Sequence, residues 1–378
     1  MPKILFFTPH PIEDGGSRYR VYQFVPYLEA AGYQCTVWPF STPALFRVLR
    51  RQGEIPAKLT YTAFCTVRRL TQIARVRRFD WVVIHREVFP FLIPAFERLV
   101  LAQNSRVIFS FDDAVYAGHE DASRLNHPLL YGFKYGNGIA GLVRRSAHVI
   151  AGNNILADYA RRHNPNVTVI PTVVDCAAYK CRAAQSVEGG PVTIGWTGSR
   201  TTAVYLPMIE DALKRVAAAN PGRVRFRFFG HPQYRLDVPD FVSSPFSLAT
   251  EIDDLSQIDV GVMPIPDNPW TRGKCAFKAV QYMALGRPAV ASPVGMTTEL
   301  IQHGENGFLA DSSEEWFQAL NRLVNDAALR RRMSVAARQT IEDGYSLQVW
   351  APRFVSLFGH EEGVAAVSER ASYSEVAR

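Results

Sequence analysis

At 378 residues, with 47% hydrophobic and 20% charged positions, the chain has the composition of a globular protein long enough for two domains, which excludes a disordered or fibrous molecule. Its 42 Lys and Arg against 35 Asp and Glu give a net charge of +7, which suits a polyanionic ligand or an anionic surface, while the lack of zinc-finger spacing, RNP-like motif or basic zipper argues against nucleic acid. The five scattered cysteines (Cys35, Cys65, Cys176, Cys181 and Cys275) predict free thiols rather than a disulfide scaffold or metal centre, the opening MPKILFFTPH is too short for a signal peptide, and no run approaches the ~18 apolar residues of a membrane span.

In chain order, Ile4–Thr8 is a short apolar run, expected to form a buried parallel strand. A loop with Gly15 and Gly16 follows. Val21, Phe24, Val25 and Leu28 then share one stripe of a helix over 20–31 that Gly32 should end. Cys35–Phe40 is a second strand. The chain therefore opens strand, Gly loop, helix, strand, as doubly wound folds do. Further strands are expected at Trp81–His85, Val107–Phe111, His148–Ala151 and Val167–Ile170. A second series starts at Val192–Thr197, continues with a helix whose face carries Leu206, Ile209, Leu213 and Val216, and adds strands at Arg225–Gly230, Val260–Pro264 and Ala289–Ser292. The resulting division is an N-terminal α/β domain over 1–172, a polar linker over 173–191, a second α/β domain over 192–344, a last helix over 345–360 with Trp350, Phe354 and Leu357 on its apolar side, and a weakly patterned flexible tail over 361–378.

Residues 41–80 hold nine Lys or Arg against Glu54 and Asp80, interleaved with Leu45, Phe46, Leu49, Leu59, Phe64, Val67, Leu70 and Ile73. Two readings stand: a basic amphipathic helix pair lying on an anionic membrane, or a solvated face whose apolar side covers the core.

Several polar groups fall where strands end. Gly15, Gly16, Ser17 and Arg18 follow the first strand; glycines there let backbone N–H groups approach a phosphate or sugar, although the spacing is no dinucleotide fingerprint. Arg18 and Arg20 are candidates to clamp a phosphate. Asp112 and Asp113 follow VIFSF, where a carboxylate can activate or hydrogen-bond an acceptor or cap a helix, and His119 and His85 are nearby candidates. Gly198, Ser199 and Arg200 follow VTIGWT, and Gly230 and His231 follow RFRFFG. In GKCAFKAVQYMALGRPAVASPVG, Lys274 and Lys278 are spaced one helical turn apart next to a helix start, with Gln281 beyond them, which makes an anion site or a plain cationic face.

The run QYMALGRPAVASPVGMTTELIQHGENGFLA resembles the C-terminal signature of the group 1 glycosyltransferases, glycosyltransferase family 4. Met283, Ala284, Gly286, Pro288, Val290, Ala291, Gly295, Glu299, Asn306, Gly307 and Leu309 fall in register. The resemblance implies the GT-B fold, two Rossmann-like doubly wound α/β domains facing across a cleft, the first for the acceptor and the second for the nucleotide sugar. It implies retaining transfer of a hexosyl unit from a UDP- or GDP-type sugar to an acceptor hydroxyl, with no cofactor and no obligatory metal. The acceptor is expected to be a sugar or lipid-linked sugar, in polysaccharide or glycolipid assembly, with the protein cytoplasmic or peripheral on the inner membrane face. The donor set it implies is Gly198, Ser199, Arg200, His231, Lys274, Lys278, Gln281, Gly295, Met296, Thr297 and Glu299. Asp112, Asp113, His119 and Lys278 are the catalytic candidates, and Gly15, Gly16, Ser17 and Arg18 form the acceptor-side loop. One departure matters: where the family pairs two glutamates, this chain has Gly273 and Gln281. A nucleotide-sugar 2-epimerase of the same architecture and a non-catalytic nucleotide-sugar-binding scaffold are the alternatives.

Overall fold

A computed structural model describes residues 1–49, 51, 53–90, 95–117, 136–181 and 190–359. The chain divides into two compact units. The first comprises Met1–Val173, Gly273–Cys275 and the chain from Trp350; the second comprises Val174–Arg272 and Ala276–Val349. His119 and the tail over 361–378 lie outside the described residues, as do residues 182–189 of the expected linker.

The first unit is built on strands β1 (Lys3–Thr8), β2 (Gln34–Pro39), β3 (Trp81–His85), β4 (Val107–Phe111), β5 (His148–Ala151) and β6 (Val167–Val169), in the order β2-β1-β3-β4-β5-β6. Every pairing is parallel. Ile4 to Phe7, Val82 to Ile84 and Val107 to Phe109 are fully or almost fully buried, so these strands read as continuous apolar runs because both faces are covered. β1 pairs with both β2 and β3, so the strand order reverses there, and the crevice outside the carboxyl ends of β1 and β3 is where such sheets take ligands.

The second unit repeats the plan with β7 (Val192–Thr197), β8 (Val224–Phe229), β9 (Phe241–Ser244), β10 (Val260–Met263), β11 (Ala289–Ala291) and β12 (Gly307–Leu309), in the order β12-β11-β10-β7-β8-β9. Its reversal falls between β7 and β10. Trp196, Phe226, Phe228, Leu213, Leu320 and Trp316 form the centre of its core. Each such side chain contributes roughly 2–3 kcal/mol by leaving water. The helix Ser313–Asn325 closes one face behind a capping box, Ser312 accepting from the Glu315 N–H while the Glu315 carboxylate accepts from the Ser312 N–H.

The structure departs from the sequence expectations at four places. Gly15 and Gly16 do not lie in a loop but open a helix, Gly15–Arg20, whose N-cap Asp14 accepts from the Ser17 N–H at 2.9 Å. The expected helix over 20–31 is divided into that helix, a 3-10 turn at Tyr22–Phe24 and the helix Val25–Ala30, because Pro26 has no N–H and is tolerated only in a first turn. Strands β9 and β12 were not expected; both are sheet edges, one of only three residues. The last helix, Leu347–Ser356, buries Ala351, Phe354 and Val355, whereas Trp350 and Leu357 are only partly covered. Phe354 stacks on Phe24 at 4.4 Å, and the Tyr33 hydroxyl donates to the Phe358 carbonyl at 3.1 Å. Gly32 ends its helix as expected, at φ 88°.

The basic stretch forms helices Pro43–Leu49 and Ile55–Ile73. Leu45, Phe46 and Ile73 are buried, but Leu59, Phe64, Val67 and Leu70 face water, so the apolar side does not simply cover the core. All five cysteines are free, and among the described residues no helix is long and apolar enough to cross a membrane.

Candidate functional site

In the second unit, candidates gather at the carboxyl ends of β7 and β8. Gly198 donates its N–H to the Phe229 carbonyl at 3.0 Å. Gly230, at φ +103°, leaves no room for a side chain, because its Cβ would lie 2.0 Å from the Gly198 carbonyl oxygen. A Cβ on Gly198 would meet Thr202 Oγ1 and Trp196 Cζ2 at 2.5 Å and Lys278 Cε at 2.9 Å. Two glycines therefore let the strand ends close up against the stem of Lys278, whose ammonium lies 5.9 Å from the centroid of the Trp196 ring. Ser199 and Arg200 are exposed at the start of the short helix Arg200–Ala203, and the Ser199 hydroxyl pairs with Thr201 at 2.7 Å instead of capping the helix. His231 follows Gly230 and has a buried Nδ1 without a hydrogen-bond partner.

The helix Phe277–Ala284 carries Lys278 and Gln281. Gln281 is 4% exposed; its amide donates to the Tyr179 hydroxyl at 2.8 Å and to Glu251 Oε1 at 3.0 Å. Tyr282 accepts from the Thr197 N–H at 2.9 Å and fixes the end of β7; burial pushes its phenol well above the usual range. Its ring fills the space over Gly261, where a Cβ would approach within 2.1 Å.

The loop at Gly295 behaves differently. At φ +59°, Gly295 would bring a Cβ within 2.4 Å of the Arg272 carbonyl oxygen, so the close approach is to the chain itself. Met296 is buried, and Thr297 is fully buried with its hydroxyl donating to the Ser292 carbonyl at 2.6 Å. These side chains hold the loop, and only backbone groups there remain candidates for a donor contact. Glu299 is exposed.

Lys274 does not share a helical face with Lys278. Ala276 adopts a left-handed φ of 49° and the helix begins only at Phe277, so the turn separates the two lysines. Gly273–Cys275 belongs to the first unit, where a clasp holds it. Asn153 caps the helix Asn154–Arg161 through Oδ1, while its amide donates to the carbonyls of Gly273 at 2.9 Å and Lys274 at 3.2 Å. The Cys275 thiol donates to the Asp112 carbonyl at 3.1 Å. Burial, then the Asp112 charge, pushes this thiol up to about 12, so it stays protonated. Gly273 itself is pressed on β4's end: a Cβ there would lie 2.6 Å from Ala114 Cβ and 2.9 Å from Ala114 N.

The clasp delivers Lys274 to Asp113, with Nζ 3.6 Å from Oδ1. Arg86 takes the other oxygen at 3.2 Å and sits just past β3 at φ 64°, a costly conformation for a side chain of this size. Burial works against the Asp113 charge, but Lys274 and Arg86 outweigh it and hold the carboxyl below the usual range. Asp112 is raised by burial and by the adjacent Asp113 charge. His85 is fully buried without partners for either ring nitrogen; burial, then the Arg20 and Arg86 charges, keeps it neutral. Arg20 is no phosphate clamp: it is buried, donating to the Ile170 carbonyl at 2.6 Å and reaching Ser110 Oγ at 3.4 Å. Ser17 is tied to Asp14, and Arg18 donates to the Ile12 carbonyl at 3.2 Å and lies over the Tyr19 ring. Gly16 borders the Arg86–Asp113 pair, a Cβ there falling 4.0 Å from Arg86 Nη1.

The structure thus makes two groups: Gly198, Arg200, Lys278 and His231 along strand ends of the second unit, and Asp113, Lys274, Arg86 and Gly16 at those of the first. Sequence reasoning missed the Asn153 clasp, whose signal was a plain N-cap asparagine, and Tyr179, which no motif marks.

Two family models match the chain, Glycosyltransferase Family 4 over residues 14–178 and Glycosyl transferases group 1 over residues 192–326. Solved structures share the fold at low identity. A sucrose-phosphate synthase from Thermosynechococcus elongatus is 16% identical with a TM-score of 0.68, covering 95% of this chain and 98% of its own. Anabaena HepE, solved with UDP and glucose, is 15% identical with a TM-score of 0.64 and full coverage of both chains (100% and 100%). WaaG, a glycosyltransferase involved in lipopolysaccharide biosynthesis, is 12% identical with a TM-score of 0.62, over 94% of this chain and 99% of its own. These are GT-B structures, and the two six-stranded parallel sheets share their fold. No curated protein matches it in sequence.

Proposed function

The chain belongs to glycosyltransferase family 4, the group 1 glycosyltransferases, and from that premise we propose that it moves a hexosyl unit, with retention, from a UDP- or GDP-type sugar to the hydroxyl of a sugar or lipid-linked acceptor. The observation that carries the reading is the position of Lys278, held against Gly198 and the Trp196 ring at the carboxyl ends of the second unit's strands. A fixed ammonium at that place can compensate a diphosphate, and the exposed Arg200 adds a guanidinium able to grip phosphate oxygens in two places. Gln281 with Glu251 offers an amide and a carboxylate to a ribose diol, in place of the family's second glutamate. HepE's UDP and glucose support a UDP-type donor.

In the proposed reaction the bond from the anomeric carbon to the β-phosphate oxygen breaks and the bond to the acceptor oxygen forms on the same face. The acceptor's proton passes to the leaving phosphate, and Lys278 and Arg200 stabilise the charge that develops there without a divalent metal. Asp113, held ionised between Arg86 and Lys274, is assigned to the acceptor hydroxyl. Lys274 goes with it, because its charge is already engaged by that carboxylate. The absent glutamate at Gly273, the main argument for a non-catalytic scaffold, is read here as a packing demand, since no side chain fits at that position. Polysaccharide or glycolipid assembly, at the inner face of a membrane, is the setting we propose.

The test is release of nucleoside diphosphate from a panel of UDP- and GDP-sugars in the presence of EDTA, with the product's anomeric proton followed by NMR from its first appearance. The reading predicts one active donor class, activity that survives EDTA, and a product of unchanged anomeric configuration. Inversion, or activity that disappears with EDTA and returns with a divalent ion, would contradict it.

A further inference from the structure

The helix Ile55–Ile73 turns an uncharged apolar face to water, and the reaction proposed above makes no use of it. Its inner side is settled: Cys65, Arg69 and Ile73 are buried, and the Arg69 guanidinium donates to the Trp38 carbonyl at 3.0 Å while lying 4.7 Å over the Phe7 ring. Outward, Leu59, Ala63, Val67, Leu70 and Ala74 recur at spacings of three and four and so form one stripe, with Phe64 beside it. Leu59 is 67% exposed, Val67 62%, Phe64 59% and Leu70 47%. A helix face bathed in water ordinarily carries its charges there, yet between Leu59 and Phe64 around the helix the remaining positions are Thr60, Thr71 and Pro56.

The exposed charges lie past its ends instead, and they are mostly basic. The helix contains no acidic residue, and across 41–80 Glu54 and Asp80 are the only acids. Arg75, Arg77 and Arg78, just past its C-terminal end, are exposed, as is Arg47 before it, while Arg51 is paired with Glu54 at 3.3 Å. We propose that this face lies in the plane of an anionic lipid surface, with Leu59, Phe64, Val67 and Leu70 at the level where headgroups meet acyl chains and the arginines against lipid phosphates. A second copy is a poor occupant, since a two-fold contact would set the same cations against each other. The inference deepens the lipid-linked acceptor reading and rests on it for its use, but docking itself requires no catalysis.

The experiment is flotation of the full chain with phosphatidylcholine vesicles, with and without phosphatidylglycerol, over a salt series. Two variants accompany it, Leu59→Glu/Val67→Glu and Arg75→Ser/Arg77→Ser/Arg78→Ser, each checked for melting temperature and UDP binding. Binding is expected on the phosphatidylglycerol vesicles alone and should weaken with salt. The double glutamate should weaken it more than about tenfold, and each arginine lost should cost about fivefold. Absence of wild-type binding, or binding unchanged in Leu59→Glu/Val67→Glu, would overturn the proposal. So would a concentration-dependent dimer that the double variant abolishes, which would give the face to a second copy. Turnover with a soluble acceptor, assayed on the same samples, keeps the two readings separable: flotation without turnover sinks only the proposed transfer, and turnover without flotation sinks only the docking.

Discussion

Gly273 shows how packing bears on a family position. The absence of a glutamate there looks like the loss of a sugar contact, yet the backbone of Ala114 stands 2.9 Å from where any Cβ would be. The residue is a glycine because Asn153 draws the loop onto the end of β4. Gly273→Ala is therefore expected to destabilise the protein by about 1–3 kcal/mol, as overpacking does, measured by chemical denaturation. Wild-type stability in that variant would mean that the clasp gives way at no cost. The same clasp explains why Lys274 and Lys278, spaced like neighbours on a helix, belong to different groups: the left-handed turn at Ala276 has no signature in composition or periodicity. By contrast, the placement of Gly198 after a buried strand and of Lys278 at a helix start was legible, because both follow from local pattern alone.

Among elements, legibility followed burial. The strands at Trp81–His85, Val107–Phe111, His148–Ala151 and Val192–Thr197 have the boundaries their apolar runs imply, because parallel strands covered on both faces admit few polar residues. The edges β9 and β12 each have one neighbour in the sheet and carry little pattern. The short helix Ala95–Leu101 holds a feature that no periodicity reveals. Glu97 is fully buried and accepts from the Val88 N–H at 2.7 Å, and burial raises its carboxyl to about 7. A carboxyl raised in the folded state favours folding fully below its unfolded value, near 4.5, and that contribution fades as pH rises through about 7. Glu97→Gln keeps an acceptor for Val88 and removes the titration. Its stability should be flatter than wild type between pH 5 and pH 8, by roughly 1–3 kcal/mol across the interval. Parallel pH profiles for the two proteins would show that Glu97 is ionised in the fold throughout.

For the molecule as a whole, two parallel sheets with the same kind of strand reversal place their ligand-facing ends after β1 and β3 in one unit and after β7 in the other. The two-series pattern was visible in the sequence. That three residues, Gly273–Cys275, are assigned to the first unit from the middle of the second was not, because the contacts that decide it are carbonyl and thiol hydrogen bonds far apart in the chain. This assignment separates the roles of the two lysines. The measurement that tests it most directly is calorimetric titration with UDP, GDP, ADP and TDP, without metal, on wild type, Lys278→Ala and Lys274→Ala. The account predicts that one nucleotide binds wild type, that Lys278→Ala loses most of that affinity along with about 10²–10³ in turnover, and that Lys274→Ala keeps the affinity while losing turnover. Unchanged binding in Lys278→Ala, or binding lost only in Lys274→Ala, would contradict it.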